Sequence, residues 1–135
     1  MKAERILRNQ PLRWGAVLAW MGLIFFLSAQ SQLPDLTPSA PGLEEIGGHL
    51  VVYFVLALLV RWALAGAGVH HATWWAIAFC ALYGFSDEFH QSFVPHRDPD
   101  VGDWTRDVLG ASAAMFVVWL AARLNTRLSS RPGSR

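Results

Sequence analysis

The sequence predicts an all-α membrane protein, a bundle of about four transmembrane helices with both termini in the cytoplasm. Three observations lead there. Apolar residues make up 53% of the 135-residue chain and charged residues only 16%, which leaves more apolar surface than a soluble unit of this size could cover. The apolar residues gather into stretches close to the roughly 20 residues a membrane span requires. Basic residues flank those stretches on one side, and the acids lie on the other.

The first stretch runs from Trp14 to Ala29, behind Lys2, Arg5, Arg8 and Arg13, so residues 1–13 read as a basic cytoplasmic N-terminus. A signal peptide shares this grammar, with small residues near Ala29 and Ser31 for cleavage. Removing the stretch, however, leaves an odd number of spans and breaks the charge asymmetry. Pro34, Pro38, Pro41 and Gly42 then mark an irregular loop. The second stretch, Ile46 to about Leu64, contains Arg61, whose long side chain can reach the inner headgroups. His70 and His71 follow beside Trp74 and Trp75, as interfacial residues. The third stretch, Ala72 to about Phe85, is the shortest; alone it reads equally as a buried or re-entrant helix, and the charge pattern favours a full crossing. The fourth runs from Val108 to about Leu124, which closes a transmembrane unit over 14–124. Residues 125–135 form a basic tail, disordered by its Ser, Arg, Pro and Gly content.

With both ends inside, nine of the ten acids fall on the outer side, Glu4 being the exception, and nine of the eleven Lys and Arg fall inside. The chain therefore belongs in the cell membrane as a multi-pass protein. A net charge of +1 excludes a strongly basic nucleic-acid binder. Cys80 has no second cysteine to pair with and reads as a packing residue. The seven Trp mostly sit near stretch ends, where amphipathic rings anchor helices.

In this topology three helix ends bring ionisable groups to one interfacial level. His49 opens the second helix, Asp87 to Gln91 close the third, and Asp103 to Asp107 open the fourth. Charges at that depth are costly and usually mark a site or a pathway. His49 and Tyr53 share a helical face, as do Tyr83, Asp87, His90 and Gln91, and likewise Asp103, Asp107 and Gly110. Gly110 and Gly84 allow neighbouring helices close to these rows. The candidate catalytic residues are His49, Asp87, Glu88, His90, Asp103 and Asp107; the candidate substrate-binding residues are Arg97, Tyr53, Tyr83 and Gln91. Together they suit a phosphate ester: Arg97 as anion fork, a His as proton carrier, and carboxylates to orient it. His and carboxylates also suit cations, but no tight ligand pattern such as H-E-x-x-H occurs, so no metal is assigned and the cofactor is left open.

The same residues have plain structural readings. Asp100 or Asp103 would cap the fourth helix, Arg97 would pair with Asp98 or Asp103, and His49 would hydrogen-bond between helices. Asp98 and Asp100, flanking Pro99, read as turn residues.

From about Ser28 to Ala114 the chain resembles the VanZ-like family. The pieces that carry the resemblance are Ser28-Ala29-Gln30, His49-x3-Tyr53, Tyr83-Gly84-x2-Asp87-Glu88-x-His90-Gln91, Phe93-Val94-Pro95-x-Arg97 and Asp103-x3-Asp107-x2-Gly110. Each is weak alone, and their order and spacing make the match specific. The Lys common in the family just before the helix-two His is absent from Glu45-Ile46-Gly47-Gly48-His49, His96 replaces a small residue, and Asp107 stands where Asn is also common. The resemblance implies an association with teicoplanin resistance and action on lipid head groups or polyprenyl-linked intermediates.

Three functions are open at this point. The first is a membrane enzyme, a lipid head-group or polyprenyl-phosphate transferase or hydrolase. The second is a non-catalytic binder of an anionic lipid or cell-envelope precursor. The third is a structural subunit or proton-coupled carrier, for which four short helices without a repeat are few. The expected partner is a membrane lipid or lipid-linked cell-envelope precursor, not nucleic acid, and the oligomeric state is open.

Overall fold

Backbone groups in a bilayer find no water, so long apolar runs satisfy their hydrogen bonds internally as helix. The computed structural model describes residues 2–30, 43–95 and 97–129. The loop around Pro34, Pro38, Pro41 and Gly42, residue His96 and the tail beyond Ser129 lie outside the described residues.

Four helices follow one another: α1 Lys2–Ser28, α2 Leu43–Gly66, α3 Ala72–Gln91 and α4 Val101–Ser129. Among the described residues there is no strand. α1, α2 and α4 are long and apolar enough to cross a membrane. α3 is not among them, because its closing turns carry Asp87, Glu88, His90 and Gln91. At 1.5 Å per residue it still rises about 30 Å, the thickness of a bilayer core. α4 continues past Leu124, so 125–129, expected in a disordered tail, is helical.

α2 occupies the centre and packs on all three other helices, whereas α1 and α4 do not touch among the described residues. Its inward row is Tyr53, Leu56, Ala57, Val60 and Ala63, at the three- and four-residue spacing of one helical face. The buried faces of α3 and α4 are lined by small residues, Ala72, Ala76, Cys80 and Gly84 on α3 and Gly110, Ala111 and Ala114 beside Met115 on α4. Small residues let helix backbones approach, which matters where lipid offers no hydrophobic drive for helices to associate. Large apolar side chains point outward instead: Leu82, Trp74, Phe26 and Phe89 are each more than 60% exposed. An apolar exterior around a core with polar groups suits lipid surroundings.

One end of the bundle is tied by Arg13, which donates from Nη1 to the Trp62 carbonyl at 2.8 Å and stacks over the Trp62 ring. Arg61 donates to the Thr73 hydroxyl at 3.2 Å at the same end. The chain turns from α2 to α3 over Ala67–His71, with Gly68 and His71 at positive φ. The opposite end holds the ionisable groups.

Candidate functional site

The C-terminal ends of α1 and α3 and the N-terminal ends of α2 and α4 lie at the same end of the bundle, which brings Ser28, His49, Asp87 to Gln91 and Asp103 to Asp107 together. Asp87, Glu88, Gln91, Asp103 and Asp107 are all buried, and Asp107 is 0% exposed. Burying four carboxylates costs free energy unless hydrogen bonds or cations compensate, so their partners determine what the site can do.

His49 stands between two acids of α4. Its Nδ1 lies 2.9 Å from Asp107 Oδ1, and its Nε2 lies 3.6 Å from Asp103 Oδ2. A carboxylate only accepts, so the shorter contact places a proton on Nδ1 and fixes the plane of the ring. The other oxygen of Asp103 takes an ion pair from Arg106, one turn along α4. Two glycines make room for this arrangement. A Cβ on Gly84 would come within 2.7 Å of Asp107 Oδ2, and one on Gly110 would overlap the Leu50 carbonyl oxygen, so the seams of α4 with α3 and α2 close only because both side chains are missing. Glu88 Oε2 accepts the Asp100 backbone N–H at 2.8 Å, while the Asp100 side chain accepts the Gly102 N–H at 2.7 Å and caps α4.

A second network joins α1 to α3. The Ser28 hydroxyl donates to Asp87 Oδ2 at 2.5 Å, and Gln91 Nε2 donates to Ser28 Oγ at 3.0 Å. Arg97 donates from Nε to the Gln30 carbonyl at 3.3 Å. Ser28, Asp87, Gln91, Arg97, His49 and Tyr53 line a cavity of about 70 Å³ whose remaining wall is Ile24, Leu27, Gly48 and Val52. Two buried oxygens of its lining residues, Tyr53 Oη and Asp87 Oδ1, and Asp107 Oδ2 in the seam by Gly84 have no hydrogen-bond partner among the described residues. Unsatisfied groups this deep in a native fold call for water, an ion or a ligand.

The family model for VanZ/LLP1 matches residues 14–122, most of the chain and every residue of both networks. The chain belongs to the VanZ/LLP1 family. No curated protein and no solved structure matches it. VanZ/LLP1 membership, with apolar helices of spanning length, makes it a membrane protein of that family.

Within this VanZ/LLP1 fold the residues singled out from the sequence divide. His49, Asp103, Asp107 and Glu88 form one cluster, and Asp87, Gln91, Arg97 and Tyr53 meet around the cavity. Tyr83 is used differently, since its hydroxyl donates to the Met21 carbonyl at 2.7 Å and joins α3 to α1. His90 stacks on Phe25 with ring centroids 4.1 Å apart, outside the cavity lining. The cation paired with Asp103 is Arg106. Ser28 was absent from the candidate set; its signal was there, a small polar residue closing the first helix at the level of the acids, within one of the family-like tripeptides.

A larger groove of about 630 Å³ opens beside the cluster, between the end of α3 and the start of α4. Its walls are mainly Phe85, Phe89, Val101 and Trp104, and Glu88 lies in its lining. The carboxylates are therefore flanked by a small cavity with polar side chains in its lining on one side and an apolar groove on the other.

Proposed function

We propose that this VanZ/LLP1 protein binds the phosphate-linked head group of a membrane or cell-envelope lipid in the cavity lined by Arg97, Ser28, Gln91 and His49 and exchanges or hydrolyses it. The observation that carries the reading is the cavity itself: Arg97, Ser28, Gln91 and His49 converge beside an apolar wall at the end of helices whose outer faces are apolar. Guanidinium N–H groups match phosphate oxygens, and the Ser28 hydroxyl and Gln91 amide are further polar groups at the same wall. The apolar groove between α3 and α4 is wide enough to take a lipid chain while the head group faces the cluster. In hydrolysis, a water oxygen bonds to phosphorus, the phosphorus–oxygen bond to the leaving group breaks, and the proton released by the water ends on the departing oxygen. The buried carboxylates and the ring-fixed His49 supply the acceptors and charge control such a step needs. The teicoplanin association of the family points to a cell-envelope precursor as the source of the head group.

The test is a thin-layer and mass-spectrometric comparison of lipids from membranes carrying the intact protein or His49→Ala. A phosphate-bearing class that changes with the intact protein alone supports the reading. Identical lipid profiles reject turnover, and loss of lipid binding in Arg97→Ala but not in His49→Ala would then identify a binder.

A further inference from the structure

We propose that His49, Glu88 and Asp103 together hold a divalent cation. The proposal goes beyond the head-group reading and does not depend on it. One ligand atom from each of the three residues lies within 4.8 Å of the other two. Each comes from a different helix, α2, α3 and α4, so the set is held by rigid elements.

The chemistry of each group favours an ion. Asp107 engages His49 through Nδ1, the carboxylate–imidazole arrangement that orients metal-binding histidines and leaves the Nε2 lone pair for the metal. That lone pair faces Asp103 Oδ2 across 3.6 Å, longer than an N–H···O hydrogen bond. The gap is close to the roughly 3.0–3.5 Å that separates two ligands on one ion with bonds of about 2.0–2.2 Å. Arg106 occupies only the other Asp103 oxygen. Glu88 is 7% exposed; its Oε2 takes the Asp100 N–H, and its Oε1 has no partner among the described residues. A buried carboxylate oxygen without a donor, beside a second carboxylate and an imidazole lone pair, is electrostatically incomplete. A divalent ion completes all three at once.

One nitrogen and two oxygens, with no thiolate, suit hard-to-borderline ions such as Mn²⁺ or Zn²⁺. Three protein ligands leave positions for water or for a phosphate oxygen. His49 Nε2 is then a ligand, and its proton-carrying role passes to ion-bound water.

The test uses the full chain purified in detergent, stripped with chelator and titrated with Mn²⁺, with free and bound ion followed by electron paramagnetic resonance. One Mn²⁺ per chain is expected, with a nitrogen coupling in the pulsed spectrum that disappears in His49→Ala. Glu88→Gln and Asp103→Asn are expected to weaken binding at least tenfold, and Asp98→Asn, at an exposed turn, to leave it unchanged. No Mn²⁺ above the empty-micelle blank, or bound Mn²⁺ without nitrogen coupling in the unaltered protein, overturns the proposal whether or not the variants fold. Wild-type affinity in folded Glu88→Gln and Asp103→Asn overturns it as well. Lipid turnover plays no part in these readouts, so failure here leaves the head-group reading standing.

Discussion

Gly110→Ala puts one methyl group into the seam between α2 and α4. The new Cβ would overlap the Leu50 carbonyl oxygen and sit 3.1 Å from both Leu50 C and Cα, whereas carbon atoms in contact prefer about 3.5–4.0 Å. The helices must separate by at least several tenths of an ångström, and overpacking of this kind costs about 1–3 kcal/mol. Leu50 follows His49, and Gly110 lies one turn from Asp107, so the same displacement stretches the 2.9 Å His49–Asp107 contact. Gly22→Ala is the control: nothing lies within 4 Å of its Cβ, and in a helix interior Ala is favoured over Gly by about 0.5–1 kcal/mol. Thermal unfolding in detergent, followed by tryptophan fluorescence, should show Gly110→Ala melting several degrees below the unaltered protein and Gly22→Ala at or above it. Equal melting temperatures for the two variants would refute the close α2–α4 approach and, with it, the placement of His49 against Asp107.

Further outcomes follow from particular contacts. Tyr83→Phe removes a donor to the Met21 carbonyl and should lower stability by about 1 kcal/mol, while Tyr53→Phe removes a buried hydroxyl that has no partner among the described residues and should be neutral or stabilising; thermal midpoints of the two decide it. Ser28→Ala deprives Asp87 Oδ2 of its hydroxyl donor, leaving the 3.4 Å contact from Gln91, and should cost about 1–3 kcal/mol. A double-mutant cycle with Asp87→Asn should return a coupling of roughly 0.5–3 kcal/mol, whereas additivity would mean the two side chains do not interact. On a Cys80→Ala background, single cysteines at His71 and Ser92 flank the two ends of α3 and should label from opposite sides of the membrane in intact cells. Labelling of both from one side would show that α3 does not cross.

The helices were legible because a bilayer enforces one simple rule, and runs of apolar residues of the right length obey it whatever their neighbours. The site was legible as a level: His49, Asp87 and Asp103 sit at helix ends that a four-span topology must bring to one side. Its pairings were not. His49 reaches Asp107 across 58 positions and Ser28 reaches Asp87 across 59, and such contacts depend on helix rotation, which periodicity leaves open where a helix is apolar all round, as α2 is. His90 shows the consequence. It shares the α1-facing side of α3 with Asp87, as its spacing indicates, yet it meets Phe25 one turn before Ser28 and so stays outside the cavity lining. The proposed cation site has no sequence signature for a related reason: three residues on three helices leave no short spacing to recognise.

The central claim is that the cavity lined by Arg97 and His49 recognises a phosphate-bearing head group. Native mass spectrometry of the purified protein with a polyprenyl phosphate and with the polyprenol of the same chain length tests it directly, since only the phosphate differs. At least tenfold tighter binding of the phosphate, with that preference lost in Arg97→Ala and binding of the bare chain unchanged, is the expected result. Equal binding of the two lipids would contradict the account.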